Sequence, residues 1–287
     1  MTKSVAVISS ETRITASKYS GRKYRISIGL PYAYHKSRGS GGPFDNPLEH
    51  WPVIYMVDGD LYFGMVTDIV RAMAWCGTTT DAIVVGIGYP QDKDPQEAWR
   101  NIYAWRSGDL TPARDEVSDQ GIATWVKRPA SSGGASDFLK FIQYELIPTI
   151  DKDFRTAPQR RILAGHSFGG VFAAFALFEA PGLFSTYLVG SPALAHGDRF
   201  IFKHEEAFAK RHKKLAAQVH LWAGGREEAL NGSSILSDTI RFGAILEGRR
   251  YRGLKLIKQI FQDEYHCEVI APGFQAGLKM ALKTGLY

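Results

Sequence analysis

The sequence predicts an α/β fold built on a mostly parallel, doubly wound sheet, and three observations carry that prediction. Strand-like and helix-like segments alternate from residue 52 onward. Two of the strand-like runs, 51–58 and 81–88, are nearly continuous apolar, β-branched stretches, as befits strands covered on both faces. Residues 161–179 read as a short apolar strand, a glycine-rich turn and a small-residue helix.

Along the chain, residues 23–30 alternate Tyr24, Ile26, Ile28 and Leu30 with Arg25, Ser27 and Gly29, the period of a half-buried strand. Paired with residues 4–17 it makes an antiparallel N-terminal hairpin. Strand 51–58, helix 62–75 and strand 81–88 form a first crossover unit. Residues 89–135 break the rhythm with Pro, Asp, Arg, Gly and Ser clusters and read as a lid-like loop inserted over the sheet. Residues 136–150 have the spacing of an amphipathic helix (Phe138, Phe141, Ile142, Leu146, Ile147) that Pro148 brings to an end. Strand 161–164, helix 171–179, strand 187–190, charged helix 198–214, strand 218–223, helix 234–247, strand 254–261 and helix 274–283 complete the order. No repeat or linker interrupts it, so residues 1–287 are expected to form a single domain.

Composition bounds the function classes. Lys+Arg 35 against Asp+Glu 29 gives a net charge of +6, far below that of a dedicated nucleic-acid binder. Of the two basic stretches, 210–214 reads as a solvated helix face. In 249–258 the charges should alternate with buried Leu254, Leu256 and Ile257, a poor surface for tracking phosphates, so no nucleic-acid partner is expected. Two cysteines, Cys76 and Cys267, support neither a disulfide scaffold nor a cysteine-rich zinc domain, and Cys267 reads as a small buried filler. The first residues lack the pattern of a signal peptide and no segment approaches about 18 uninterrupted apolar residues. The expectation is a cytoplasmic protein without membrane association, its oligomeric state open.

The chemistry concentrates at Gly165-His166-Ser167-Phe168-Gly169-Gly170, which fits G-x-S-x-G between a strand and a helix. There Ser167 would project from a strained turn as a nucleophile, and the Phe168 N–H would donate to an oxyanion at the positive end of the helix. A serine hydroxyl needs a histidine base, and the histidine an acidic partner, in the chain order Ser, acid, His for this kind of elbow. Among eight histidines only His266 follows the last strand. His166 lies too close to Ser167 to be its base and is a candidate pocket residue, while His220 reads as a strand residue and His204 and His212 as solvated helix positions. The strand 218–223 leads into Gly224-Gly-Arg-Glu227-Glu228, which makes Glu227 the candidate acid and Glu228 its close rival, ahead of Asp238 and Asp263. The second oxyanion donor is expected in Asp58-Gly59-Asp60-Leu61, from the N–H of Asp60 or, failing that, Leu61. A tight turn accounts for the Asp-Gly-Asp run as well as a Mg²⁺ site would, and no third ligand follows from the spacing, so no metal is expected.

These residues, together with Val53 to Gly59, Arg106 to Pro112, Gly133 to Pro148 and Ser191-Pro192, resemble the enterochelin-esterase-like branch of the serine α/β-hydrolases, within the broader esterase D-like family. The resemblance covers most of the chain from about residue 20. It implies an α/β-hydrolase fold and a serine carboxylester hydrolase using Ser167, a glutamate after the Gly224 turn and His266, with no cofactor. Many members of the wider family carry His-Gly where this chain has Asp58-Gly59, which fits the enterochelin-esterase-like branch better. Relatives include hydrolases of catecholate siderophore esters and, further off, acyl transferases. In the siderophore enzymes the counterpart of 106–112 lies near the pocket, which makes Arg106 a candidate anion contact, with an ion pair to Asp109 as the alternative. The expected partner is a small ester, anionic and aromatic in the sharper form, met by Trp99, Tyr103, Trp105 and Trp125 and by Arg100, Arg106, Lys127 and Arg128 of the insertion. Acyl transfer by the same residues, or a non-catalytic binding protein with a basic surface, are the alternatives.

Overall fold

The computed structural model describes residues 6–35, 48–91, 93–229 and 233–284. Eight strands form one sheet in the order β1-β2-β4-β3-β5-β6-β7-β8. β1 (Ser10–Ala16) and β2 (Lys23–Gly29) are the expected antiparallel hairpin, and β2 runs antiparallel to β4 (Ile83–Gly88). Residues 4 and 5 of its expected first arm lie outside the described residues. β3 (Trp51–Val57), β5 (Thr156–His166), β6 (Thr186–Gly190), β7 (Lys214–Gly224) and β8 (Arg252–Phe261) run parallel to their neighbours, and β3 also runs parallel to β4.

The unbroken apolar runs of β3 and β4 follow from cover on both faces. Along β3, Ile54 and Met56 point to one side, where α1 (Gly59–Trp75) and α9 (Ile270–Leu282) lay Val66, Val70, Phe274 and Leu278. Val53, Tyr55 and Val57 point to the other, toward Phe172 of α6 (Phe168–Glu179), Phe208 of α7 (His196–Arg211) and Phe242 of α8 (Ile235–Arg249). All catalytic candidates therefore gather where the parallel strands end and their helices begin. Among the described residues no helix is long and apolar enough to cross a membrane.

Several expectations are corrected. The insertion 89–135 is not a loop: it holds α2 (Pro95–Asp109) and α3 (Glu116–Val126). Each is opened by an aspartate whose side chain accepts a backbone N–H, Asp94 from Gln96 (2.8 Å) and Asp115 from Ser118 (3.0 Å), and Pro95 sits in the first turn, where its missing N–H costs nothing. Nor does Pro148 end its helix. The run α4 (Ala135–Phe141) widens into a π turn at Ile142–Leu146 and continues as α5 (Ile147–Asp153), with Pro148 in the first turn of α5. The wider turn takes up the hydrogen bond that proline cannot donate.

In β8, Leu254 and Leu256 are half-buried, but Ile257 is 45% exposed because this strand is the sheet edge. Three side chains of the basic stretches meet carboxylates: Arg249 pairs with Glu205, Lys258 with Glu247 and Lys210 with Glu206. His204 is half-buried among Phe175 and Phe200 rather than solvated.

Candidate active site

β5 delivers the chain into Ser167, whose backbone stands at φ 61°, ψ −119°, before α6 begins at Phe168. That conformation is costly for a residue with a side chain and persists because the surroundings leave no alternative. A Cβ on Gly165 would lie 2.2 Å from the Gly169 carbonyl oxygen, and one on Gly170 would lie 2.4 Å from that of Gly190, so strand and helix approach too closely for any other residue. The Ser167 N–H donates to the Gly190 carbonyl (2.9 Å) and fixes the turn against β6. The first amides of α6, beginning with Phe168, have no carbonyl one turn back to bond.

After β8 the chain turns through Asp263 and brings His266 to the same end of the sheet. His266 Nδ1 lies 2.8 Å from Glu227 Oε2. Glu227 is buried, and its other oxygen accepts from the Ser191 hydroxyl (2.6 Å) and the Gly224 N–H (2.6 Å). Glu228 points elsewhere: it accepts from the Ser237 N–H (2.6 Å) at the start of α8. Asp238 is engaged by Arg199 and Ser234, and Asp263 by Arg226. Of the acidic candidates, the structure brings Glu227 to His266.

Ser167, Phe168, His166, His266 and Arg106 all line one cleft of about 340 Å³, walled by Leu61 and Tyr62 of α1, Tyr103 of α2, and Ser118, Ile122 and Trp125 of α3. His166 is buried, with its ring centroid 4.6 Å from that of His266. Burial, with the neighbouring His266 and Arg106, holds its pKa well below the ordinary histidine value, so it stays a neutral wall of the site.

Of Asp58–Leu61, where α1 begins, Leu61 lines the cleft. The Leu61 N–H is taken up by the Asp58 carbonyl (2.9 Å), which leaves Asp60 as the candidate amide donor. The two carboxylates diverge rather than converge on an ion: Asp58 meets Arg106, and Asp60 meets Arg25 and the Tyr89 N–H (2.6 Å).

The ion pair expected as the alternative role of Arg106 is corrected, while the side chain does line the cleft. Its partner is Asp58, not Asp109, through two bonds of 2.7 Å each, with the arginine side chain 7% exposed. Asp109 instead accepts from the Tyr89 hydroxyl (3.0 Å) and faces Arg22 (3.4 Å). Burial works against the Arg106 charge, but Asp58 outweighs it and raises the pKa. Arg106 thus borders the cleft with its charge already answered. Arg100 and Arg128 likewise both pair with Glu97.

A family model described as "Putative esterase" matches residues 17–232. The chain belongs to that family. It is an esterase with the α/β-hydrolase fold. Ferri-bacillibactin esterase BesA of Bacillus subtilis (strain 168) is 29% identical over 235 residues, covering 80% of this chain and 74% of that protein. A siderophore enterobactin esterase of Emericella nidulans is 29% identical over 279 residues, covering 89% of this chain and 88% of that one. Among solved structures, the BES protein from Bacillus cereus superposes with a TM-score of 0.77 at 24% identity, over 99% of this chain and 98% of that one.

Several residues of the esterase cleft escape sequence reasoning. Ser191, quoted above only as part of a Ser-Pro block, holds Glu227; nothing in its local sequence signals this, because the contact spans 36 residues. Tyr62 had no signal beyond helical spacing, and Ile122 lay in the stretch read as a loop. Of the four insertion aromatics expected to meet substrate, Trp99, Tyr103 and Trp125 form one cluster with ring centroids 4.8 to 5.0 Å apart, while Trp105 packs inward on Tyr89. Cys267 is exposed and lines the cleft, so it is not a buried filler.

Proposed function

We propose that this esterase cleaves carboxylic esters, of catecholate siderophores or related aromatic compounds, through an acyl-enzyme on Ser167. The observation that carries the reading is the buried Glu227 carboxylate 2.8 Å from His266 Nδ1, in a cleft shared with Ser167. Glu227 fixes the imidazole with its proton on Nδ1, which leaves Nε2 to take the Ser167 proton as the hydroxyl attacks the ester carbonyl. The developing oxyanion falls to the N–H groups of Phe168 and Asp60, the first helped by the N-terminus of α6. His266 returns the proton to the leaving alcohol, then activates a water that releases the acid. Glu227 remains ionised and stabilises the imidazolium between these steps.

The aromatic form of the substrate is supported by the wall of Tyr62, Tyr103, Ile122 and Trp125, and by the siderophore esters named for the relatives. The unbroken sheet supports treating residues 1–287 as a single domain. The test is intact mass after treatment with a fluorophosphonate. Wild type should gain one adduct and Ser167→Ala none; an unlabelled wild type or an equally labelled variant refutes the assignment.

A further inference from the structure

His266 stands on a segment without helix or strand, residues 262–269, and its side chain is 34% exposed. Glu227 fixes Nδ1 at 2.8 Å. A bond at one nitrogen leaves an imidazole free to swing about the Nδ1 to oxygen line, and such a swing re-aims the Nε2 lone pair away from a nucleophile. Something else must set the plane of the ring.

His166 is placed to do so. Its ring lies beside that of His266, with centroids 4.6 Å apart and planes inclined by 40°. Unlike His266 it is on a strand: it is the last residue of β5, opposite Gly190 of β6, and is 1% exposed. Tyr62 of α1 meets it edge-on at 6.4 Å and packs in turn on Phe274 of α9 at 5.7 Å, so two helices and a strand hold the ring still. Both of its nitrogens are buried and neither makes a well-formed hydrogen bond among the described residues; the main chain that favours a proton on it is that of His266. What His166 presents to the site is a flat face, not a polar group.

That face must also stay uncharged. His266 becomes an imidazolium when it takes the Ser167 proton, and a second cation so close would oppose the step. Burial, together with the charges of His266 and Arg106, keeps His166 neutral.

We propose, resting on the Ser167 reading, that His166 is a positioning residue: it acts on the reaction through His266, by fixing the plane of the base, and makes no polar contact with the substrate. The test is steady-state hydrolysis of p-nitrophenyl acetate, corrected for the turnover of Ser167→Ala. His166→Leu fills a similar volume without a flat face and should lower kcat by about tenfold with KM little changed. His166→Phe, which supplies a flat ring again, should restore kcat to within about threefold of wild type. His166→Val, suited to the end of a strand, gives the aliphatic case a second time should the leucine variant fail to fold, as judged by circular dichroism.

The deciding measurement is made in His266→Ala, whose residual turnover no longer passes through the imidazole. If His166 acts through His266, adding His166→Leu there should cost less than about twofold. A loss of about tenfold in that background would mean that the residue supports the Ser167 turn itself, and would overturn the proposal. So would full kcat in the aliphatic variants, or a His166→Phe enzyme as impaired as His166→Leu. A Ser167→Ala enzyme with the uncorrected turnover of wild type overturns the nucleophile instead, and a His266→Ala enzyme with wild-type kcat overturns the base.

Discussion

Replacing Glu227 by glutamine tests the proposed relay at its most constrained point. The Gly224 N–H and the Ser191 hydroxyl both donate to one Glu227 oxygen at 2.6 Å, and the other faces His266 Nδ1 at 2.8 Å. In Glu227→Gln the amide oxygen must keep the Gly224 side, since a backbone N–H there can only donate. The NH₂ is thereby turned toward His266. An imidazole facing a donor at Nδ1 carries its proton on Nε2, and that nitrogen can no longer accept from Ser167. The corresponding Asp-to-Asn change in a serine protease lowers kcat by about 10⁴ with the geometry intact. Here kcat should fall by about 10³ to 10⁴, or about 4 to 5.5 kcal/mol of barrier, while KM moves little. The assay is steady-state hydrolysis of p-nitrophenyl acetate, with the fluorophosphonate labelling rate as a second readout. Glu228→Gln is the control: its side chain can still accept the Ser237 N–H, and activity should stay within about twofold. Retention of more than about a tenth of wild-type kcat in Glu227→Gln would refute the reasoning.

Ser191→Ala removes one donor from a buried carboxylate and should lower kcat by about tenfold without changing the fold, as checked by circular dichroism; full activity would show that Gly224 alone holds Glu227. Arg106→Lys keeps the charge but loses the paired bonds to Asp58, and should lower kcat toward neutral and anionic esters alike; a KM increase confined to anionic esters would return Arg106 to the role of a substrate contact. Stability should depend on pH through two buried groups. Asp81 has its pKa pushed up to about 6 by burial, so its contribution is full below about 4 and is lost as pH rises through 6, leaving a cost of about 3 kcal/mol. Asp81→Asn should therefore raise the Tm at pH 8 and leave it unchanged near pH 3.5. His220, lowered to about 4 by burial, behaves oppositely: its contribution is full above 6.5 and is lost as pH falls toward 4, so His220→Gln should flatten the acid side of the stability profile measured by urea unfolding.

The elbow was legible because its requirements are local. A strand, a tight turn and a close-packed helix write glycines at fixed offsets from Ser167, and the order of elements then singles out His266. The choice of Glu227 over its neighbour Glu228 was close for the opposite reason. They are adjacent in a single 3₁₀ turn, Glu227–Ala229, and which of them turns inward is decided by partners at Ser191 and His266, 36 and 39 residues away. The helices of the insertion were hidden by their own composition. α2 has few apolar side chains beyond its aromatics, Ile102 and two alanines, and α3 presents Val117 and Trp125 to solvent, so neither shows a clean apolar stripe, and only the Asp-Pro at 94–95 marked a start. The break assigned to Pro148 failed because a π turn absorbs what an α-helix cannot.

The sequence offered basic side chains of the insertion as contacts for an anionic ester, and in the fold the arginines among them meet carboxylates. Arg106 is bound to Asp58, Arg25 to Asp60, Arg22 to Asp109, and Arg100 and Arg128 to Glu97, so the arginines around the cleft meet carboxylates before they meet a ligand. A guanidinium already paired in a buried site attracts a second anion weakly, because the pair presents little net field. What the pairing does accomplish is positional. Asp58 stands in the left-handed region (φ 56°) at the start of α1, directly before the loop assigned to the oxyanion, and the two bonds from Arg106 hold it there from α2. The insertion therefore reaches the chemistry in two ways, by bracing that loop through Arg106 and by walling the cleft with Tyr103, Ile122 and Trp125. Substrate choice in this esterase should follow aromatic contact more closely than charge, and exchange of α2 and α3 between relatives should alter rate and selectivity together.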